Sequence, residues 1–215
     1  MKQLFLAASI ESTGPVVAED ITNDTGKKPG ELRLAFIDTG AEVDTGDLQW
    51  VEDDRQGLRR AGFSLNEYTI TDKSIDDLER DLGGMDIIHV NGGNSFYLLL
   101  QARKSGFDKW IIDAVSKGKI YIGSSAGSMV ASPNIGIAKN IEDNDYKDEL
   151  KKFDGIGLAE VMAFPHWGSE AFKDLYLNRR LDVAYKKENK IVLLNDYQYL
   201  KIIDDKIEFK DMRDK

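Results

Sequence analysis

The sequence predicts an α/β fold in which a mainly parallel sheet is covered by helices on both faces. Three observations predict it: short continuous apolar runs recur along the chain, amphipathic stretches separate the middle ones, and glycine-rich loops follow two of the runs. A strand buried on both faces reads as an unbroken apolar run, and a helix between two such strands returns the chain for parallel pairing. Ligands on such sheets sit beyond the carboxyl ends of the strands, so the glycine loops are where chemistry is sought.

The first run, "LFLAAS" from Leu4, imitates a secretory leader because Lys2 precedes it and small residues end it. It is short, however, and Glu11 follows, which predicts a first buried strand. Ser12 to Gly30 is polar and contains glycine and proline, and reads as a loop. "LRLAFID" from Leu32 predicts the second strand. Over Asp47 to Ala61, the residues Leu48, Val51, Leu58 and Ala61 share one helical face. Ser74 reads as an N-cap with Asp77 three residues on, ahead of Ile75, Leu78 and Leu82. "DIIHV" from Asp86 predicts a strand, and the loop Asn91-Gly92-Gly93-Asn94-Ser95 follows it. Phe107, Trp110, Ile111, Ala114 and Val115 mark a helix ending near Gly118, and "KIYIG" from Lys119 is the next strand. Asn134 to Asp154 reads as a charged loop, "KIVLL" from Lys190 as a late strand, and "YLKIIDDKIEFK" as a hairpin about Asp204-Asp205. There are no repeats, and residues 1–215 read as one domain.

The bulk numbers narrow the function. A chain of 215 residues, 41% hydrophobic, can bury one sizeable core. Twenty-nine basic against 38 acidic residues give a net charge of -9, with no basic block to follow a phosphate backbone, so nucleic acid and anionic membranes are excluded as partners. No stretch reaches the ~18 apolar residues of a membrane span, and a cytoplasmic protein is expected. Cysteine is absent, which removes disulfides, thiolate metal sites and cysteine nucleophiles together. Any nucleophile is therefore an oxygen.

Gly123-Ser124-Ser125-Ala126-Gly127 has the spacing G-x-S-x-G directly after the "KIYIG" strand and before a short helix over Ala126 to Ala131. That spacing suits a sharp strand-to-helix turn, where small flanking residues let the central serine stand above the strand end. The other reading is a tight turn with capping serines. A serine needs a base, usually histidine, and the chain has two. His89 lies inside "DIIHV", where a core histidine is the plain expectation. His166, in "FPHWGSE", lies at a strand end before a helix capped by Ser169, on the loop side of the sheet, and is favoured. The acid that holds the imidazole tautomer is sought in "NIEDNDYKDEL", which offers Glu142, Asp143, Asp145, Asp148 and Glu149.

Together these residues resemble peptidase family S51, the aspartyl dipeptidase (peptidase E) group related to cyanophycinase. The likeness rests on Gly92-Gly93-Asn94-Ser95-Phe96, Gly123-Ser124-Ser125-Ala126-Gly127-Ser128 and Pro165-His166, in order and spaced over nearly the whole chain. The resemblance implies a flavodoxin-like α/β/α sandwich, like that of class I glutamine amidotransferases, with serine in place of their cysteine. It implies Ser125 as nucleophile, His166 as base, and the N–H groups of Gly93 and Ala126 as the oxyanion hole. The family aspartate falls near Asn140 by rigid counting, and an acid two residues later in a related branch selects Glu142, with Asp143 in reserve.

It further implies hydrolysis of peptides with an N-terminal aspartate and no cofactor or metal. Such a substrate calls for a local cation, for which Arg180 or its neighbour Arg179 is the candidate, with Asn94 and Ser95 as further contacts. "LNRRLDV" also reads as an ordinary solvated helix face. Apolar and aromatic residues around Trp167 and Phe172 suggest a patch for homodimerisation. The rival readings are an esterase on an α/β-hydrolase fold, against which the short spacing from Ser125 to His166 argues, and a non-catalytic binding protein on the same scaffold.

Overall fold

The structure is a computed structural model that describes residues 1–140, 145–186 and 190–214. Its centre is a seven-stranded sheet. Five strands, β1 (Gln3–Ala7), β2 (Arg33–Ile37), β3 (Ser64–Tyr68), β4 (Ile87–Val90) and β5 (Ile120–Ser124), run parallel in the order β3-β2-β4-β5-β1. The hairpin about Asp204-Asp205 forms as expected: β8 (Gln198–Ile203) pairs antiparallel with β1, and β9 (Lys206–Asp211) closes the edge. The helices α1 (Ile10–Thr25) and α2 (Gln49–Arg60) cover one face. The other face carries α3 (Ile75–Leu82), α4 (Ser95–Ser105), α5 (Phe107–Ser116) and α6 (Ala126–Val130).

Both faces of β1, β2, β4 and β5 are buried, which is why they read as continuous apolar runs, whereas the edge strand β3 is polar and largely exposed and shows no such run. Along β1, Leu4 and Leu6 enter one core with Ile88, Phe96, Trp110 and Tyr121. Phe5 and Ala7 enter the other with Ile10, Phe36, Leu58 and Ile122. Ser74 caps α3 as predicted, its hydroxyl accepting from the N–H of Asp77. Among the described residues no helix is long and apolar enough to cross a membrane.

Two expectations are corrected. Ser12 to Gly30 is largely helical, as part of α1. Its Gly14 and Pro15 look like loop punctuation, but Gly14 lies at the crossing with α2: a Cβ there would meet the carbonyl oxygen of Gly57 at 3.1 Å, and one on Gly57 would stand 2.5 Å from the Cα of Glu11. The hydroxyls of Thr13, Thr22 and Thr25 donate to carbonyls four residues back, so these polar side chains are satisfied within the helix. The charged region 134–154 contains α7 (Asp145–Leu150). The "KIVLL" run is a strand, as expected, and it lies outside the main sheet. It supplies β7 (Ile191–Leu193), which pairs in parallel with β6 (Met162–Phe164) as a separate two-stranded sheet.

Candidate active site

Ser125 stands between β5 and α6 with φ 51° and ψ -112°, a conformation a non-glycine residue adopts only where its surroundings hold it there. They do so here. The Ser125 N–H donates to the carbonyl of Ala7 at 3.1 Å, and the N–H groups of Ser128 and Met129 return to the Ser125 carbonyl at 3.0 and 3.1 Å. The Ser128 hydroxyl donates to the Ala7 carbonyl at 2.7 Å. A Cβ on Gly127 would lie 1.9 Å from the carbonyl oxygen of Val90, so only glycine lets α6 begin against the end of β4.

His166 follows β6 in a second left-handed conformation, φ 64°. Its Nε2 lies 2.9 Å from Ser125 Oγ, and its Nδ1 lies 2.7 Å from Oδ1 of Asp196. Phe172 stacks on the imidazole with centroids 4.6 Å apart and planes 15° apart, which fixes the ring. The pairing of β6 with β7 explains Asp196. Phe164 lies opposite Leu193, the Leu194 N–H donates to the Phe164 carbonyl at 2.9 Å, and the Trp167 N–H donates to the Leu194 carbonyl at 2.9 Å. The residues just past the two strand ends, His166 and Asp196, therefore emerge together.

Glu142 and Asp143, the sequence candidates for the acid, lie outside the described residues. The imidazole Nδ1 has Asp196 as its partner, a residue the sequence reading did not single out. The available signal was modest: an acid two residues past an apolar run, matching the position of His166 past its own strand.

The loop after β4 lies beside the serine. The Cβ position of Gly92 would be 3.3 Å from Ser125 Cβ. Gly93 has φ 111°, and a Cβ on it would come within 2.2 Å of the Gly40 backbone, so the loop can take this path only with glycine. Ala126 is the first residue of α6, where an N–H has no partner within the helix. The side chain of Asn94 serves α4. The Asn94 side-chain oxygen caps it, accepting from the N–H groups of Phe96 and Tyr97 at 3.0 and 2.9 Å. Ser95 is buried, its hydroxyl 3.9 Å from the sulfur of Met129.

Arg179 and Arg180 separate by burial. Arg179 is exposed, whereas Arg180 is 4% exposed, with its guanidinium 4.7 Å from the Tyr176 ring and 5.6 Å from the Phe172 ring. Its Nε and Nη1 have no hydrogen-bond partner among the described residues. A buried guanidinium with open donors beside the ring that stacks on His166 suits a carboxylate. Trp167 and Phe172 are half-buried, Trp167 against Tyr176 and Phe172 against His166 and Arg180.

Two buried groups lie on the α1/α2 side. His89 is fully buried against Phe36, and desolvation pushes its pKa down to about 3, so it is the neutral core histidine anticipated. Asp54 of α2 is buried too. Desolvation pushes its carboxyl up to about 6, opposed by hydrogen bonds from Ser124 and from the backbone of Glu11.

Comparison with known proteins agrees with this architecture. Residues 4–210 match peptidase family S51. An uncharacterized peptidase of Listeria innocua is 28% identical over 96% of this chain and 95% of its own length. A peptidase E of Shigella flexneri is 29% identical over 74% of this chain and 63% of its own. The crystal structure of a putative peptidase E from Listeria monocytogenes superposes with a TM-score of 0.85, covers 99% of both chains and is 27% identical.

Proposed function

Because this chain belongs to peptidase family S51 and is a peptidase, we propose that it is a serine exopeptidase acting on dipeptides or short peptides with an N-terminal aspartate. Ser125 is the nucleophile, His166 the base and Asp196 the acid that orients it. The observation that carries this reading is the single imidazole bonded on one side to Ser125 and on the other to Asp196.

In the first step Ser125 Oγ attacks the scissile carbonyl as His166 Nε2 takes its proton, and Asp196 steadies the imidazolium through Nδ1–H. The carbonyl oxygen becomes an oxyanion, for which the N–H groups of Gly93 and Ala126 are the candidate donors. Collapse of the tetrahedral adduct breaks the peptide C–N bond, and His166 returns the proton to the leaving amine. Water then adds to the acyl-enzyme, giving its proton to His166, and aspartate leaves as Ser125 recovers its own.

Substrate choice is assigned to Arg180. Its Nε and Nη1, which lack partners among the described residues, can hold the side-chain carboxylate of the N-terminal aspartate by charge-assisted bonds, and its burial makes those bonds stronger than a surface pair. The test is kcat/KM for Asp-X against Leu-X dipeptides with the Ser125→Ala protein alongside. The reading expects selective cleavage of Asp-X that disappears in the variant. Equal cleavage of Leu-X would overturn the specificity, and undiminished turnover by Ser125→Ala would overturn the nucleophile.

A further inference from the structure

Asp54 is 6% exposed, and among the described residues its carboxylate has no lysine or arginine as an ion-pair partner. One carboxylate oxygen accepts the N–H of Glu11 at 2.9 Å, and the other accepts the hydroxyl of Ser124 at 2.8 Å. The Ile10 N–H is also directed at it. The cap residue of α1, Ser9, makes no side-chain capping bond of its own, so Asp54 serves the free N–H groups at the start of α1 from the neighbouring helix. Gly57, one turn further along α2, permits the close approach this needs. One side chain thereby ties the start of α1 to the residue immediately before Ser125.

Hydrogen bonding alone does not account for a carboxylate here. An asparagine could accept from Glu11 with its oxygen and donate to Ser124 with its nitrogen, without burying a charge. The charge itself needs a use. The charged and titratable groups around it are turned elsewhere. Glu11 of α1 pairs with Arg60, and Arg55 of α2 pairs with Asp38, Glu52 and Glu67. Asp53 bonds Gln49, β5 contributes only the hydroxyl of Ser124, and His89 of β4 is neutral. The ionisable group across the elbow is His166: Asp54 holds Ser124, and the next residue, Ser125, has its Oγ 2.9 Å from His166 Nε2.

We propose that Asp54 is a positioning residue: it holds Ser124 and the start of α1 so that Ser125 keeps its strained conformation, and its negative charge favours the imidazolium formed when His166 takes the serine proton. The inference rests on the proposed Ser125–His166 pair and deepens it. Asp196 orients the base, whereas Asp54 acts from beneath the nucleophile.

The test needs no identified substrate. Labelling of Ser125 by a fluorophosphonate probe is timed across pH for the wild type, Asp54→Asn, Ser124→Ala and Ser125→Ala, with a thermal melt for each. Asp54→Asn should label about tenfold more slowly, the scale of one screened charge interaction. Its acid limb should move to lower pH, and its melting temperature at pH 8 should be no lower than that of the wild type. Ser124→Ala should slow labelling about threefold, as for one lost link in a buried network, with the limb unmoved.

A folded Asp54→Asn protein that labels at the wild-type rate with an unshifted profile would overturn the proposal. So would slower labelling with no shift and a lowered melting temperature, because that is a purely structural effect. If Asp54→Asn does not fold, labelling of Ser124→Ala at the wild-type rate overturns the positioning role. An unlabelled wild type overturns the nucleophile assignment and this inference with it, whereas a labelled wild type beside an unimpaired Asp54→Asn overturns the inference alone.

Discussion

Replacing Asp196 by Asn keeps the shape of the side chain and removes the charge 2.7 Å from His166 Nδ1. The asparagine can present its amide nitrogen to the ring, which then favours the tautomer that cannot accept the proton of Ser125. Loss of a buried triad aspartate in this way costs about 10⁴ in rate. Asp196, however, is 40% exposed at its side chain, so water can replace part of its effect. The expected loss in kcat/KM is therefore about 10²- to 10³-fold, or about 3–4 kcal/mol of transition-state stabilisation. Stability should scarcely change, because a partly exposed pair of this kind contributes about 0–1 kcal/mol. The assay is steady-state hydrolysis of an Asp-X substrate with a thermal melt alongside, and Glu142→Gln serves as the companion variant. A rate for Asp196→Asn within about threefold of the wild type, with Glu142→Gln impaired instead, would refute the reasoning and return the role to Glu142.

Arg180→Met should lower kcat/KM for Asp-X by about 10²-fold, the scale of a charge-assisted carboxylate contact, and leave any residual Leu-X cleavage unchanged. Its melting temperature should not fall, because the change removes a buried charge whose Nε and Nη1 lack partners among the described residues; parallel kinetics and melts check both. Gly93→Ala should cost about 2–4 kcal/mol in a denaturant titration, from the positive φ and the collision with Gly40, and reduce turnover as well. Because burial raises the folded-state pKa of Asp54 to about 6 from an ordinary 3.8, its protonated form favours the folded state. That contribution is fully present below about pH 4 and is lost as pH rises through about 6. Asp54→Asn should thus gain stability relative to the wild type across that window, by at most about 3 kcal/mol above it, and melts taken between pH 4 and 8 should show the difference growing.

The parts of the fold that were legible in the sequence are those with a local cause. The strands β1, β2, β4 and β5 declared themselves because burial on both faces leaves no polar alternation, unlike the exposed edge strand β3, and α3 because Ser74 and Asp77 form its cap. The hairpin of β8 and β9 follows from the Asp204-Asp205 turn, and the serine loop from glycines whose missing side chains make room for the elbow. What escaped depends on contacts distant in sequence. The polar stretch of α1 becomes a helix because its small residues meet Gly57 and its threonines bond their own backbone. The helix α4 is buried almost all round, so it shows no amphipathic period. Asp196 approaches His166 only because β6 and β7 pair outside the main sheet, a register that local pattern does not encode. Arg180 could be told from Arg179 only by burial.

The central claim, an aspartyl ester on Ser125, is best tested by trapping it. The enzyme is quenched in acid during turnover of a slow aspartyl ester and digested, and the peptide carrying Ser125 is weighed by mass spectrometry. The account predicts one aspartyl group on Ser125 that accumulates in the steady state and is absent from Ser125→Ala. Turnover of the same ester with Ser125 unmodified throughout, or with the acyl group on another residue, would contradict it.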